Sequence, residues 1–294
     1  MKQSEKWKRG LPYVGNKGQK AEKIIDILPA GNRIIDVFGG GGSISLTAAS
    51  SGKWDEVVYN DRRKTVVNLL KALIEDNHHF DLMKYVYMNR ETFNNWRDSM
   101  PDSVERTLVL TAWSFGNNLN GYLWGKKIEK ERLQLTRALF WGDTDTQLDD
   151  LYSCAKNETT ISGKYNVYHK WNRKRLEQLE RLQQLEQLQQ LERLQQLDLL
   201  EPLKYSVLDY HSLDVNPSDV VYCDPPYTGT SQSYGGFDDD AFQSWLANCP
   251  AKQIYISEYT QLPHTELAFN LGKKQSFQSK GKRSDELLLK YVKD

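Results

Sequence analysis

Sulfur is scarce in this chain and metal-binding patterns are missing. The three cysteines, Cys154, Cys223 and Cys249, have no paired spacing, which argues against zinc ribbons and disulfide frameworks and leaves them as reduced, structural residues. Five histidines make no HExxH or comparable ligand set, so no metal is expected. No apolar run approaches the roughly 18 residues of a membrane span, and the polar, lysine-rich start lacks the apolar core of a signal peptide. A cytoplasmic setting with no membrane partner is therefore expected. Net charge is also lacking, with 39 basic residues against 39 acidic ones.

The distribution of that charge says more than its sum. Lys2, Lys6, Lys8, Arg9, Lys17, Lys20 and Lys23 crowd the start of the chain. A second basic run, Lys164, Lys170, Arg173, Lys174 and Arg175, has Tyr165, Tyr168 and Trp171 interleaved. Acidic residues gather around Asp143 to Asp150 and Asp238 to Asp240. Such segregation suits a protein that grips phosphates with one face, although solvated basic clusters are common. At 294 residues the chain can hold one large α/β domain and a smaller insertion.

The stretch Val220-Val221-Tyr222-Cys223-Asp224-Pro225-Pro226-Tyr227 organises the rest. Four strand-favouring residues run into an acid and two prolines, so the strand must stop where Asp224 begins. One carboxylate thus stands at a carboxyl strand end, where ligands bind in open α/β sheets. The prolines fix the backbone so that its carbonyls can face a ligand, and Tyr227 offers a flat face beside them. Acceptors next to an aromatic plate suit an extruded, amino-bearing base. Upstream, Arg33 to Phe38 reads as a buried strand, and Gly39-Gly40-Gly41-Gly42-Ser43 as a nucleotide-binding turn into a helix over 44–50. The G-x-G-x-x-G fingerprint fails there, since its last position falls on Ile44 or Ser45. A second strand, 56–59, ends at Asn60-Asp61. Asp61 either accepts from ribose hydroxyls or caps the helix expected over 64–74, and separate oxygens allow both.

From about Arg62 to Leu200 the character changes to helices rich in Asn, Trp and Tyr. An apolar helical segment over 107–119 leads into Asn117-Asn118-Leu119-Asn120-Gly121-Tyr122. Amides such as those of Asn118 and Asn120 can pair with an adenine edge or reach phosphates, while turn formation explains them as well. Residues 176–200 repeat Leu-Glu-Gln, Leu-Glu-Arg and Leu-Gln-Gln with leucine at every third position. At about 100° per residue these leucines spiral round the helix instead of forming a heptad seam, which disfavours a coiled coil. A spacer between the basic segment and the sheet is the expectation. The sheet resumes at 205–208, followed by Asp209-Tyr210; a Gly/Ser-rich loop over 228–236, a helix over 237–246, a strand over 253–257 and a closing hairpin from Glu266 to Val292 complete the chain.

With Asp224-Pro225-Pro226-Tyr227 and the strand-Phe-Gly-Gly loop on the page, the chain resembles the Dam-like (D12 class, alpha group) S-adenosylmethionine-dependent DNA adenine N6-methyltransferases, over nearly its whole length. The resemblance implies that this tetrapeptide is the catalytic motif and that Asp36, Phe38, Gly39, Gly40 and Gly41 form the methyl-donor loop. It implies further that Tyr13 and Lys17, in Tyr13-Val14-Gly15-Asn16-Lys17, contact the donor, with Tyr13 packing near it and Lys17 reaching its carboxylate or neighbouring acceptors. Asp61 would hold the donor's ribose, and Asp209, with Tyr210 as stacking neighbour, its adenine amino group. Asp224 would border the same site. Target recognition would lie between the glycine loop and the catalytic motif, with Asn118, Asn120, Lys164, Tyr168, Lys170, Arg173 and Arg175 as DNA-binding candidates.

The expected fold is a doubly wound, mostly parallel Rossmann-like sheet, formed by residues 1–61 and 201–294, with residues 62–200 as an inserted helical recognition region. S-adenosyl-L-methionine is the implied cofactor. Double-stranded DNA is the implied partner, with a cognate restriction endonuclease an open second one. Methylation of cytosine N4 or of RNA, and a DNA binder with a decayed site, are the alternatives. The aspartate heading the motif favours adenine over cytosine N4, and the want of a Pro-Cys pair weakens covalent cytosine-C5 chemistry.

Overall fold

The computed structural model describes residues 9–75, 80–143, 148–174, 182–197, 200–226, 237–273 and 285–293. The chain divides into two compact units, Lys17–Val67 with Leu200–Asp294, and Met1–Asn16 with Asn68–Leu199.

The first unit is built on a seven-stranded sheet. Strands β1 (Arg33–Asp36), β2 (Glu56–Asn60), β3 (Leu203–Ser206), β4 (Val220–Cys223) and β5 (Gln253–Glu258) are parallel. A hairpin of β6 (Thr265–Lys273) and β7 (Asp285–Tyr291) completes the order β3-β2-β1-β4-β5-β7-β6, with β7 antiparallel to both neighbours. From β1 the chain moves outward through β2 and β3, then returns to β4 on the other side of β1. The order therefore reverses between β1 and β4, and the crevice that binds ligands in such sheets opens at their carboxyl ends.

Strand alternation sends neighbouring side chains to opposite faces. Ile35, Val37, Val221, Cys223, Ile254 and Ile256 pack under Phe242 and Leu246 of α10 (Asp239–Asn248). The opposite face carries α2 (Ser43–Ala49), which packs on α1 (Ala21–Ile27). All four residues of β4 are buried, as a strand covered on both faces requires. Several boundaries differ from the sequence reading, and β1 ends at Asp36 instead of Phe38. β3 ends at Ser206, which leaves Val207 and Leu208 exposed. α10 starts at Asp239 because the Asp238 side chain accepts the Ala241 N–H at 2.9 Å and sets the cap there. Cys223 and Cys249 lie in this core, where burial pushes both thiols above their ordinary range.

The second unit is helical: α4 (Arg90–Asp98), α5 (Val104–Trp113), α6 (Lys126–Trp141), α7 (Asp149–Ala155), α8 (Ile161–Lys174) and α9 (Gln183–Leu194), while α3 (Lys64–Ile74) runs across the boundary between units. The segment expected to be helical to residue 119 ends at Trp113. Gly116, Asn117 and Leu119 take φ of 62°, 56° and 62°, and Ser114 Oγ accepts the Leu119 N–H at 2.9 Å, so a tight loop replaces the last turn. The leucine repeat is also corrected, as far as its described residues go. Leu182, Leu185, Leu188, Leu191 and Leu194 are fully buried, and α9 packs against both α8 and α5. Leucines that spiral round a cylinder suit a helix covered on several sides. The Glu192 carboxylate also accepts the N–H groups of Ile161 and Ser162 at 3.0 and 2.9 Å, closing the start of α8. Its described residues, 182–197, belong to the core of the helical unit and do not act as a spacer.

Candidate active site

β1 and β4 lie side by side, and Val37 N–H donates to the Tyr222 carbonyl at 3.0 Å. Beyond β1 the glycine loop turns sharply: Gly39 N–H donates to Asn60 C=O and Gly42 N–H to Gly39 C=O, both at 2.7 Å. A side chain at Gly39 has no room, because its Cβ would sit 2.2 Å from the Tyr59 ring. Tyr59 is fully buried and its hydroxyl donates to Gly40 C=O at 2.7 Å, propping the loop from below. Gly42 caps α2 at φ 80°, which glycine adopts without strain.

Asp61 fastens this loop to the end of β2. Its Oδ2 accepts the Gly40 N–H at 3.0 Å and its Oδ1 the Arg63 N–H at 2.8 Å. Burial raises its pKa against those two bonds. Next to it stands Asn60, which the sequence reading passed over. Its buried amide donates to Val37 C=O at 2.9 Å and to Leu208 C=O at 3.1 Å, while its oxygen accepts the Leu208 N–H at 3.0 Å. One side chain thus ties together the ends of β1, β2 and the segment after β3. The only sequence signal for it is a polar amide at a strand's last position.

Asp36 points the other way. Its carboxyl is buried and accepts the Ser45 hydroxyl at 2.6 Å, locking α2 to β1. Burial pushes its pKa up to about 7. Phe38 and Tyr210 share an aromatic cluster with Phe237 and Phe242, their own ring centroids 5.5 Å apart. Tyr210 also stacks on His211 at 3.9 Å, and burial raises its hydroxyl to about 12. Asp209 is exposed; its Oδ1 accepts the His211 N–H at 3.1 Å and lies 2.7 Å from the ring Nδ1. The exposed Val207 and Leu208 stand directly before it. A carboxylate flanked by exposed apolar side chains suits a flat heterocycle that bears an amino donor.

Asp224 follows β4 and is partly exposed, while Pro225 is buried. Lys17 is buried, and its ammonium donates to Asp224 Oδ2 at 2.5 Å while lying 3.2 Å from Glu286 Oε1. Burial pulls the Lys17 pKa down, but the two carboxylates outweigh it and hold the group above its ordinary value. Tyr13 is half-buried and belongs to the helical unit. Tyr227 and the 228–236 loop lie outside the described residues.

The DNA-binding candidates separate. Lys164 is buried, with its ammonium donating to Ala155 C=O at 3.1 Å and Leu139 C=O at 3.4 Å, and burial lowers its pKa. Tyr168 is fully buried and Trp171 donates to Asp150 at 3.0 Å. Lys164 and Tyr168 are therefore interior residues of the helical unit and not a phosphate-facing surface: the aromatic stripe that interleaves the lysines is the core-facing side of α8. Lys170 and Arg173 are exposed, and Arg175 lies outside the described residues. Asn118 Oδ1 closes a turn by accepting the N–H groups of Asn120 and Gly121 at 2.9 and 3.0 Å; both asparagines are exposed. Lys126, Lys127 and Lys130, exposed at the start of α6, form a further basic group that the sequence reading did not single out. Among the described residues no group of His, Cys, Asp and Glu could hold a metal ion, and no helix is long and apolar enough to cross a membrane.

The sheet order, the glycine loop after β1, the acid after β2 and the Asp-Pro-Pro end of β4 define a Rossmann-like methyltransferase. The D12 class N6 adenine-specific DNA methyltransferase family matches residues 13–252, and the chain belongs to that family. A type II methyltransferase of Haemophilus parahaemolyticus, M2.HphI, is 26% identical over 246 residues, an alignment covering 76% of this chain and 68% of that protein. The protein is an enzyme that methylates adenine in DNA.

Proposed function

We propose that the crevice between β1 and β4 transfers a methyl group from S-adenosylmethionine to the N6 amino group of an adenine turned out of duplex DNA. The observation that carries this reading is Asp224, a carboxylate at the carboxyl end of β4, beside the point where strand order reverses, with one oxygen held by Lys17. The residues present fit the donor. The glycine loop brings backbone close to a ligand, Asp61 borders it, and Asp209 with Val207 and Leu208 offers an acceptor beside apolar surface. S-adenosylmethionine, when bound, supplies an electrophilic methyl group on a sulfonium.

The chain's own work is orientation. Asp224 and the Pro225 carbonyl accept hydrogen bonds from the adenine amino group, keeping the nitrogen lone pair out of the ring and aimed at the methyl. Pro225 and Pro226 carry no N–H, so this strand end presents acceptors. Removing the base from the stack is required because the amino nitrogen cannot meet the methyl inside a duplex. Phosphate contacts come from the exposed Lys170 and Arg173, with Lys126, Lys127 and Lys130, and Tyr227 holds the ring face.

Labelled S-adenosylmethionine, unmethylated DNA and the purified protein test the reading. Wild type should label N6-methyladenine, while Asp224→Ala should bind the donor normally and label nothing. Full activity in Asp224→Ala would remove the assignment.

A further inference from the structure

Glu286 is fully buried near the start of β7, far along the chain from the ends of β1, β2 and β4. Both of its oxygens are engaged: Oε1 lies 3.2 Å from the Lys17 ammonium and Oε2 2.7 Å from that of Lys20. Lys20 also donates to the Gly272 carbonyl at 3.1 Å. Gly272 pairs with Glu286 across the hairpin, at a register shift that gives β6 an extra residue, and its φ is 79°. Bulges re-aim the groups of a strand, and here the carbonyl just after the extra residue, that of Gly272, meets the lysine that grips Glu286.

The two lysines are arranged by the entry to α1. Lys20 and Ala21 both donate their N–H to Lys17 C=O, at 2.7 and 2.9 Å, and residues three apart in such a turn share a side. Cations at a helix N-terminus oppose its dipole, and buried charges give little stability that apolar residues would lack. Stability alone therefore gives no reason for two lysines and two carboxylates in this place.

A lysine ammonium has three donors on a flexible stem. With a single acceptor it can swing between that carboxylate's two oxygens; with a second acceptor its direction is fixed. Among the described residues Asp224 Oδ2 takes the Lys17 hydrogen bond and Oδ1 takes none. We propose that Glu286 is a positioning residue for methyl transfer: it holds Lys17 on Asp224 Oδ2 and so keeps Oδ1 for the amino group of the target adenine. Lys20 balances the charge that Glu286 brings. This inference rests on the role given to Asp224 above.

The test compares wild type, Glu286→Leu, the double variant Glu286→Leu/Lys20→Met and Asp224→Ala, because leucine, unlike glutamine, leaves Lys17 no second acceptor. Each is measured for methylation kcat, KM for DNA, donor affinity and urea midpoint. Glu286→Leu leaves an uncompensated cation, and the double variant returns the cluster to neutrality. The expected result is a kcat lower by about a hundredfold, the scale of a small misplacement at a reacting centre, with KM and donor affinity near wild type. In the double variant stability should return while kcat stays low. Wild-type kcat in Glu286→Leu, or a kcat that recovers together with stability in the double variant, would overturn the proposal. An active Asp224→Ala would instead remove the reading of Asp224 itself, a different outcome from either.

Discussion

Asp36 shows how a single buried carboxyl couples the glycine loop's strand and helix to solution conditions. Its pKa is about 7 in the folded protein against an ordinary 3.8, because burial disfavours the charged form more than the Ser45 hydrogen bond favours it. Between those values the folded chain keeps a proton that the unfolded chain has released. Stability therefore falls as pH rises from about 4 to about 7 and levels off above. Urea midpoints of wild type should drop between pH 5 and pH 8, and Asp36→Asn should drop less; parallel slopes would show that Asp36 does not titrate in this way. Gly39 makes the companion point on packing. An added methyl would meet the Tyr59 ring at 2.2 Å, and that ring is fully buried with its hydroxyl on Gly40. Gly39→Ala should lower unfolding free energy by about 1 to 3 kcal/mol, the usual range for overpacking, and weaken donor binding in calorimetry.

At the scale of the element, α9 is the instructive case. A leucine at every third position matches neither a surface helix nor a coiled-coil seam, and the structure resolves the pattern by covering the helix from two sides, with α8 and α5. Leu188→Ala should cost about 2 to 5 kcal/mol in chemical denaturation, as truncation of a fully buried leucine does. A loss under about 0.5 kcal/mol, typical of an exposed site, would return the segment to a spacer. The β6–β7 hairpin is a second case. Its sequence offers no catalytic motif, yet it delivers Glu286 to the Lys17 ammonium.

For the whole molecule the balance of zero net charge hides which cations are available to DNA. Each phosphate neutralised contributes about 0.9 to the slope of log affinity against log salt. Replacing Lys170 and Arg173 together with alanine should thus reduce the slope by about 2, in equilibrium binding at several salt concentrations. Lys164→Met should leave the slope unchanged and alter stability instead, since its ammonium is spent on two interior carbonyls. An equal loss of slope in Lys164→Met would place that lysine on DNA after all.

The sequence by itself determined the sheet class, the glycine loop, the acid after β2 and the aspartate after β4, because these rest on local rules: strand periodicity, the freedom of glycine and the chain-stopping effect of proline. It also carried the family resemblance through contiguous motifs such as Asp224-Pro225-Pro226-Tyr227. Tertiary structure alone decided the partners of Asn60, Glu286 and Lys20, which lie up to 266 positions away along the chain and leave no local signature. It likewise separated an exposed pair on α8, Lys170 and Arg173, from a buried Lys164. Charge and aromatic content are written in the sequence, but which side of a helix meets core is set by the helices that pack against it.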